Sequence, residues 1–273
     1  MSSVLYDVPG PRARRRNRLL TALCTLALLA GGLLATSAMA QPTPTNRLRE
    51  SLFVGVDTSG SFVQTGDYGN AMTFLSYYLY GHLNGLGGLS QPRELFVAAI
   101  GGKEASEPKA FHPILDFAGK DLTQIEADLK RWYAPTDTLT DFNVFFNQVA
   151  RIAKDRNLVM SPITVLLVTD GVPDVPVPGV KPGSSAMYRK IDLSSLEYLS
   201  RNLTVRVIYP NPKVGELWRT EVPRQRVRLW TTEGEVMKGW RAQLTAGVEP
   251  GDQARLWKWV RDNVDFRVRL RPL

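Results

Sequence analysis

Short apolar runs alternate along this chain with stretches whose apolar positions recur every three or four residues. The first run, Leu-Phe-Val-Gly-Val-Asp at residues 52–57, predicts a buried strand that ends on a carboxylate. Ala71, Leu75, Tyr78 and His82 then mark one face of a helix, broken by the glycine-rich residues 81–88. Residues 95–100 predict a second strand, with residues 108–115 as its neighbour. Leu122, Ile125, Leu129 and Trp132 make a second helical face, opened by Asp121 as a cap. Phe142, Phe145, Phe146, Val149 and Ile152 make a third, directly after Thr140-Asp141. Residues 163–168, Ile-Thr-Val-Leu-Leu-Val, form the continuous run expected of a strand covered on both faces. This run ends in Thr169-Asp170-Gly171 and a loop rich in proline and glycine. A short helix over 193–201 and a strand over 205–209 follow. Strands alternating with helices predict an α/β fold, a doubly wound, mostly parallel sheet with helices on both faces.

From residue 210 the rhythm changes. Residues 210–250 offer no clean helix, and their spaced Trp218, Trp230 and Trp240 suit the core of an elaboration built from short strands such as 226–231. Leu256, Trp257, Val260 and Val264 form a last helical face capped near Asp252, and residues 266–270 alternate like a half-exposed strand. The expected organisation is a leader over 1–40, a linker over 41–50, the α/β domain over 51–209, and a C-terminal elaboration over 210–273 packed on it.

The leader changes how the charge is read. Five arginines between Arg12 and Arg18, against Asp7 alone, account for half of the formal +8 of the 273 residues. The mild surplus left for residues 41–273 reads as a solvated surface and argues against nucleic-acid binding. Residues 19–34 are apolar and uncharged, and Ala38-Met39-Ala40 follows with the small residues of a signal-peptidase site. A cleaved export signal and a retained membrane anchor both fit this pattern, and either one sends the globular part out of the cytoplasm, to the periplasm or another extracytoplasmic space. The one cysteine, Cys24, lies in that apolar segment, so residues 41–273 hold no disulfide and no thiolate metal site.

Candidate chemistry gathers where strands end. Asp57, Ser59 and Ser61 place a carboxylate and two hydroxyls at alternate positions after the first strand. Thr140 precedes a helix, and Asp170 follows the most apolar strand. Open α/β sheets bind ligands at the carboxyl ends of their strands. Hard oxygen donors suit a small divalent cation such as Mg²⁺, which keeps several waters and takes few protein carboxylates. Asp57 and Ser59 also suit a plain helix cap. Asp174 suits a turn acid better than an outer-shell residue of such a site, while His82 and His112 suit structural positions.

Asp57-x-Ser59-x-Ser61, then Thr140, then Thr169-Asp170-Gly171, in this strand and helix context, resembles the von Willebrand factor A domain family over roughly residues 50–209. The resemblance implies a metal-ion-dependent adhesion site holding Mg²⁺ or Mn²⁺, with Asp57, Ser59, Ser61, Thr140 and Asp170 as its metal ligands. It further implies that the ion captures a carboxylate from a protein partner. The family often has glycine before the threonine; Leu139 stands here, and Thr138 is the alternative ligand.

Enzymatic readings find less in the chain. It has no Gly-x-Ser-x-Gly elbow, no His-x-x-x-His pair and no phosphate-binding Gly-rich loop ending in Lys-Ser/Thr. A metal-dependent hydrolase remains the third reading, behind a non-catalytic binding module and a scaffold component of a cell-envelope assembly.

Overall fold

The computed structural model describes residues 49–104, 106–136, 138–199 and 203–266. The leader over 1–40, most of the linker, and all but the first residue of the strand expected over 266–270 lie outside the described residues.

Strand β1 (Ser51–Val56) is fully buried and carries the centre of the fold. It pairs in parallel with β2 (Glu94–Ala99) on one side and with β4 (Ile163–Val168) on the other. A short β3 (His112–Pro113) closes the first side antiparallel to β2. On the other side β5 (Leu203–Ile208) and then β6 (Arg228–Thr232) add in parallel, for a sheet order β3-β2-β1-β4-β5-β6. The chain therefore leaves β1 toward one edge and later returns to β1's other side, which makes the β1/β4 boundary the topological switch point.

Alternate side chains of each strand feed two cores, which is why these strands read as unbroken apolar runs. Leu52, Val54 and Val56 pack with α2 (Tyr68–Leu83), α3 (Leu122–Trp132) and α9 (Ala254–Asn263). Phe53, Val165 and Val207 pack on the opposite face with α4 (Phe142–Asp155) and with Trp218 of α7 (Pro212–Glu221). Gly55 lets α4 approach, because a Cβ there would stand 2.9 Å from Cζ of Phe145. Short helices fill the remaining connections: α1 (Gly60–Gln64), α5 (Ser185–Tyr188), α6 (Ser194–Glu197) and α8 (Gly234–Lys238). Among the described residues no helix is long and apolar enough to cross a membrane.

Two expectations for the C-terminal part need correction. Residues 210–250 do contain a regular helix: α7 starts at an Asn211 cap with Pro212 at its first turn, and it serves as the crossover from β5 to β6. Its polar solvent face and its charged residues hid the apolar stripe of Val214 and Trp218. The last helix is not capped by Asp252; Gln253 precedes it, spending its side chain on the backbone of Thr245 and Val248. By contrast, Asp121 forms the expected cap on α3, as a full capping box with Gln124.

At the amino-terminal edge of the sheet a buried polar clasp ties the segment after α9 to the core. Asp265 accepts hydrogen bonds from Nε2 of His82 at 2.7 Å and from the Tyr78 hydroxyl at 2.9 Å. Arg206 of β5 donates to the carbonyls of Val264 and Phe266. His82 is thus structural, as is His112, which stacks on Trp132 and pairs with Asp116.

Candidate metal centre

The carboxyl ends of β1 and β4 bring Asp57 and Asp170 together at the switch point. Asp57 is fully buried and both of its oxygens are engaged. Oδ1 accepts from the Ser59 amide at 2.9 Å and from the Thr140 hydroxyl at 3.3 Å; Oδ2 accepts from the Thr169 hydroxyl at 2.5 Å. The tight turn at Asp57 aims Ser59 and Ser61 into the same space, with 3.1 Å between their Oγ atoms. Ser59 stands at the cap position of α1 but makes no side-chain cap bond, so the helix-cap reading does not account for it.

Thr140 reaches the site because its strand-like approach pairs with residue 102. Leu139 and Gly102 exchange backbone hydrogen bonds of 3.1 and 3.0 Å, and a Cβ on Gly101 would lie 1.8 Å from the Leu139 carbonyl oxygen. The glycine that permits this close approach sits on the opposing chain, which leaves position 139 free to be leucine. Asp141 then caps α4 through the Val144 amide, leaving Thr140 turned toward Asp57. Thr138 is not in the site; its hydroxyl donates outward to the Lys103 carbonyl.

Asp170 accepts from the Val172 amide at 2.9 Å, and Gly171 makes the turn between them with φ +78°. Any Cβ at Gly171 would stand 2.8 Å from Nε1 of Trp218, whose N–H donates to the Gly171 carbonyl. Residues 170–174 then fold back, and Asp174 joins the cluster. Its Oδ2 lies 3.4 Å from Ser61 Oγ and 3.3 Å from Thr140 Oγ1. The sequence favoured a turn acid at this position; no spacing rule tied it to hydroxyls 113 and 34 residues away.

The electrostatics are one-sided. Burial pushes the Asp57 carboxyl up from its ordinary range despite the hydrogen bonds from Thr169, Ser59 and Thr140. Burial, then the charge of Asp57, push Asp170 up to about 6. Burial and Asp57 likewise raise Asp174. No lysine or arginine is among the leading influences on any of the three. Protons are also short: the single Thr140 hydroxyl proton cannot serve Asp57 and Asp174 at once. With the carboxylates ionised, at least one close oxygen pair has no proton between its members. Uncompensated buried anions and oxygens crowded together are what a bound cation relieves.

The donor set fits a small hard cation. Octahedral Mg²⁺ holds oxygens at about 2.0–2.1 Å, which sets neighbouring ligands about 3 Å apart. The contacts Ser59–Ser61, Ser61–Asp174, Asp174–Thr140 and Thr140–Asp57 run from 3.1 to 3.4 Å, close to that spacing. Among the described residues no three His, Cys, Asp or Glu side chains close by themselves into a metal-holding group, so hydroxyls must complete the shell. Ser59, Ser61 and Thr140 can do so.

A doubly wound sheet with its acidic site at the switch point is the architecture that the sequence resemblance implies. The expected fold class, an α/β fold with a doubly wound, mostly parallel sheet, is the one the described residues form. No protein-family model matches the sequence, and no curated relative matches it. Among solved structures, the von Willebrand factor A domain of SpRpn10 is 12% identical, with a TM-score of 0.39 over 79% of this chain and 95% of that one. The pilus adhesin SpaC of Lactobacillus rhamnosus GG is 13% identical, with a TM-score of 0.45 over 80% of this chain and 31% of the adhesin. Proximal thread matrix protein 1 of the mussel byssus is 14% identical, with a TM-score of 0.38 over 70% of this chain and 47% of that protein. The chain thus spans less than half the length of the adhesin and of the byssus protein. Within this fold, sequence reasoning missed the role of Thr169, which positions Asp57, and favoured a turn acid at Asp174 over an outer-shell one. The Thr-Asp-Gly signature carried a signal for the first.

Proposed function

We propose that this protein is an exported, non-catalytic binding module that holds Mg²⁺ or Mn²⁺ through Asp57, Ser59, Ser61, Thr140 and Asp170, and engages an acidic residue of a partner protein through that ion. The observation that carries the reading is the cluster of carboxylates at the switch point, two of them buried, faced by the hydroxyls of Ser59, Ser61 and Thr140. The bound cation would supply an electrophilic point for carboxylate capture. The chain's own part is to hold the donors in place: Thr169 orients Asp57, Gly171 turns Asp170 inward, and the 101–102 pairing presents Thr140. Export rests on the basic, apolar and Ala-x-Ala order of residues 12–40.

Calorimetric titration of the protein with Mg²⁺ and with Mn²⁺ tests the reading. Saturable one-site binding that Asp57→Ala and Asp170→Ala each abolish is the expected result. A wild-type protein that stays folded and takes up neither ion overturns it.

A further inference from the structure

We infer that Asp174 is a ligand the chain itself supplies to the ion, standing where a partner's carboxylate would enter, so that partner engagement requires Asp174 and the loop beyond it, residues 174–176, to withdraw. The inference rests on the metal-site reading above and goes beyond it by naming what closes the site.

Three observations carry it. First, one oxygen of Asp174 is nearly equidistant from two hydroxyl donors that come from different loops, 3.4 Å from Ser61 and 3.3 Å from Thr140. That is the position of a neighbouring ligand on a shared small cation, whose ligand spacing is about 3 Å. Second, the single Thr140 hydroxyl proton cannot bond the Asp57 and Asp174 carboxylates together, so hydrogen bonding between ionised groups leaves one of those contacts unexplained. Third, the charges argue for competition. Asp57, Asp170 and Asp174 already bring three formal negative charges to the surroundings of such an ion. A partner's carboxylate would add a fourth beside them, and like charges in one buried site strongly disfavour one another.

Asp174 is also the member best placed to leave. It is half-buried whereas Asp57 is fully enclosed. Its backbone is tied to the site by one long hydrogen bond, from its amide to the Thr140 carbonyl at 3.4 Å. The loop beyond it runs through Pro176, Pro178 and Gly179, two of them exposed prolines. Withdrawal of this acid frees a coordination position without disturbing Asp170, which is held by its own bond to the Val172 amide.

Mn²⁺ provides the probe, because water-proton relaxation reports how many waters the bound ion carries. Wild type, Asp57→Ala, Asp174→Asn and Asp174→Ala are titrated with Mn²⁺, with and without acetate as a stand-in carboxylate, after thermal melts establish that each is folded. Asp174→Ala is expected to bind Mn²⁺ at least about tenfold more weakly and to show one additional bound water, which acetate then displaces. Acetate leaves the relaxation of the wild-type complex unchanged. Equal Mn²⁺ affinity and equal relaxation in wild type and Asp174→Ala overturn the inference while leaving the metal site standing. If wild type takes up no Mn²⁺, or Asp57→Ala takes it up equally, the metal-site reading fails and this inference with it.

Discussion

Asp265 lies just past α9, largely enclosed, and holds that segment against the sheet through His82 and Tyr78. Both nitrogens of the His82 ring face acceptors, the Asp265 carboxylate at 2.7 Å and the Ser90 carbonyl at 2.9 Å. Only the protonated imidazolium donates to both. Burial alone would depress its pKa, but the Asp265 charge, that hydrogen bond and the Ser90 carbonyl together raise it. Burial works to raise Asp265, yet His82, Arg206 and the Tyr78 hydroxyl bring it below the ordinary carboxylate range. Asp265→Asn leaves a buried cation without its partner. Breaking a buried pair from one side costs about 3–5 kcal/mol, and partial exposure of Asp265 places this case toward the lower end. In a domain of this size each kcal/mol moves the melting midpoint by about 2–4 °C, so a loss on the order of 10 °C is expected.

The pH dependence has a definite sign. The His82 contribution is fully present below about pH 6.5, the unfolded imidazole value, and is lost as pH rises through its raised folded pKa. The Asp265 contribution is present above about pH 4 and is lost as pH falls through its lowered folded pKa. The wild-type advantage over Asp265→Asn is therefore greatest between those limits and shrinks on the alkaline side. Urea unfolding of both proteins from pH 4 to pH 9, read by tryptophan fluorescence, measures the difference. A difference that stays constant from pH 6 to pH 9 would refute the ion-pair reasoning.

Further substitutions test how the site is positioned. Gly171→Ala forces a Cβ into the positive-φ region and to 2.8 Å from Trp218 Nε1. It should cost more than about 1 kcal/mol and weaken Mg²⁺ binding by displacing Asp170, as thermal melts and calorimetry would register. Thr140→Val should weaken Mg²⁺ binding at least about tenfold, whereas Thr138→Val, whose hydroxyl bonds the Lys103 carbonyl outside the site, should leave it unchanged; equal effects would reopen the choice of threonine. Trp218→Phe removes the indole donor to the Gly171 carbonyl and should lower stability by about 1–3 kcal/mol, measured by urea unfolding.

Much of the fold was legible because its strands are covered on both faces. β1 and β4 each bury all six residues, and that requirement writes itself into the sequence as an unbroken apolar run. The helices α3 and α4 were legible for the complementary reason, since each buries a single stripe, whereas α2 buries a much wider face than the stripe of Ala71, Leu75, Tyr78 and His82. α7 was missed because its buried contribution is concentrated in Val214, Gly215 and Trp218, too few positions to set a period. At the candidate site, Asp57, Ser59 and Ser61 were visible as a local spacing, and Asp170 as the end of an apolar strand. Thr140 could be chosen over Thr138 only through the phase of the following helix. Asp174 was legible only as a turn or outer-shell acid, and Asp265 not at all. Each is an acid in irregular backbone whose partners lie across the fold, Ser61 at a separation of 113 residues and His82 at 183.

These two acids close clusters at opposite edges of one sheet, which decides how the predictions combine. β1 separates the edges by six residues, or roughly 20 Å at strand rise, and the intervening side chains are apolar and tightly packed. Substitutions that far apart with no shared partner add nearly independently. Asp265→Asn should therefore lower the melting temperature without changing Mn²⁺ affinity, and Asp174→Ala should alter Mn²⁺ coordination while leaving the His82 pH profile in place. The double variant tests this directly. If its Mn²⁺ affinity falls further than that of Asp174→Ala alone, measured where both proteins are fully folded, the two ends of the sheet are coupled. In that case the clasp would be positioning the site rather than merely holding the chain.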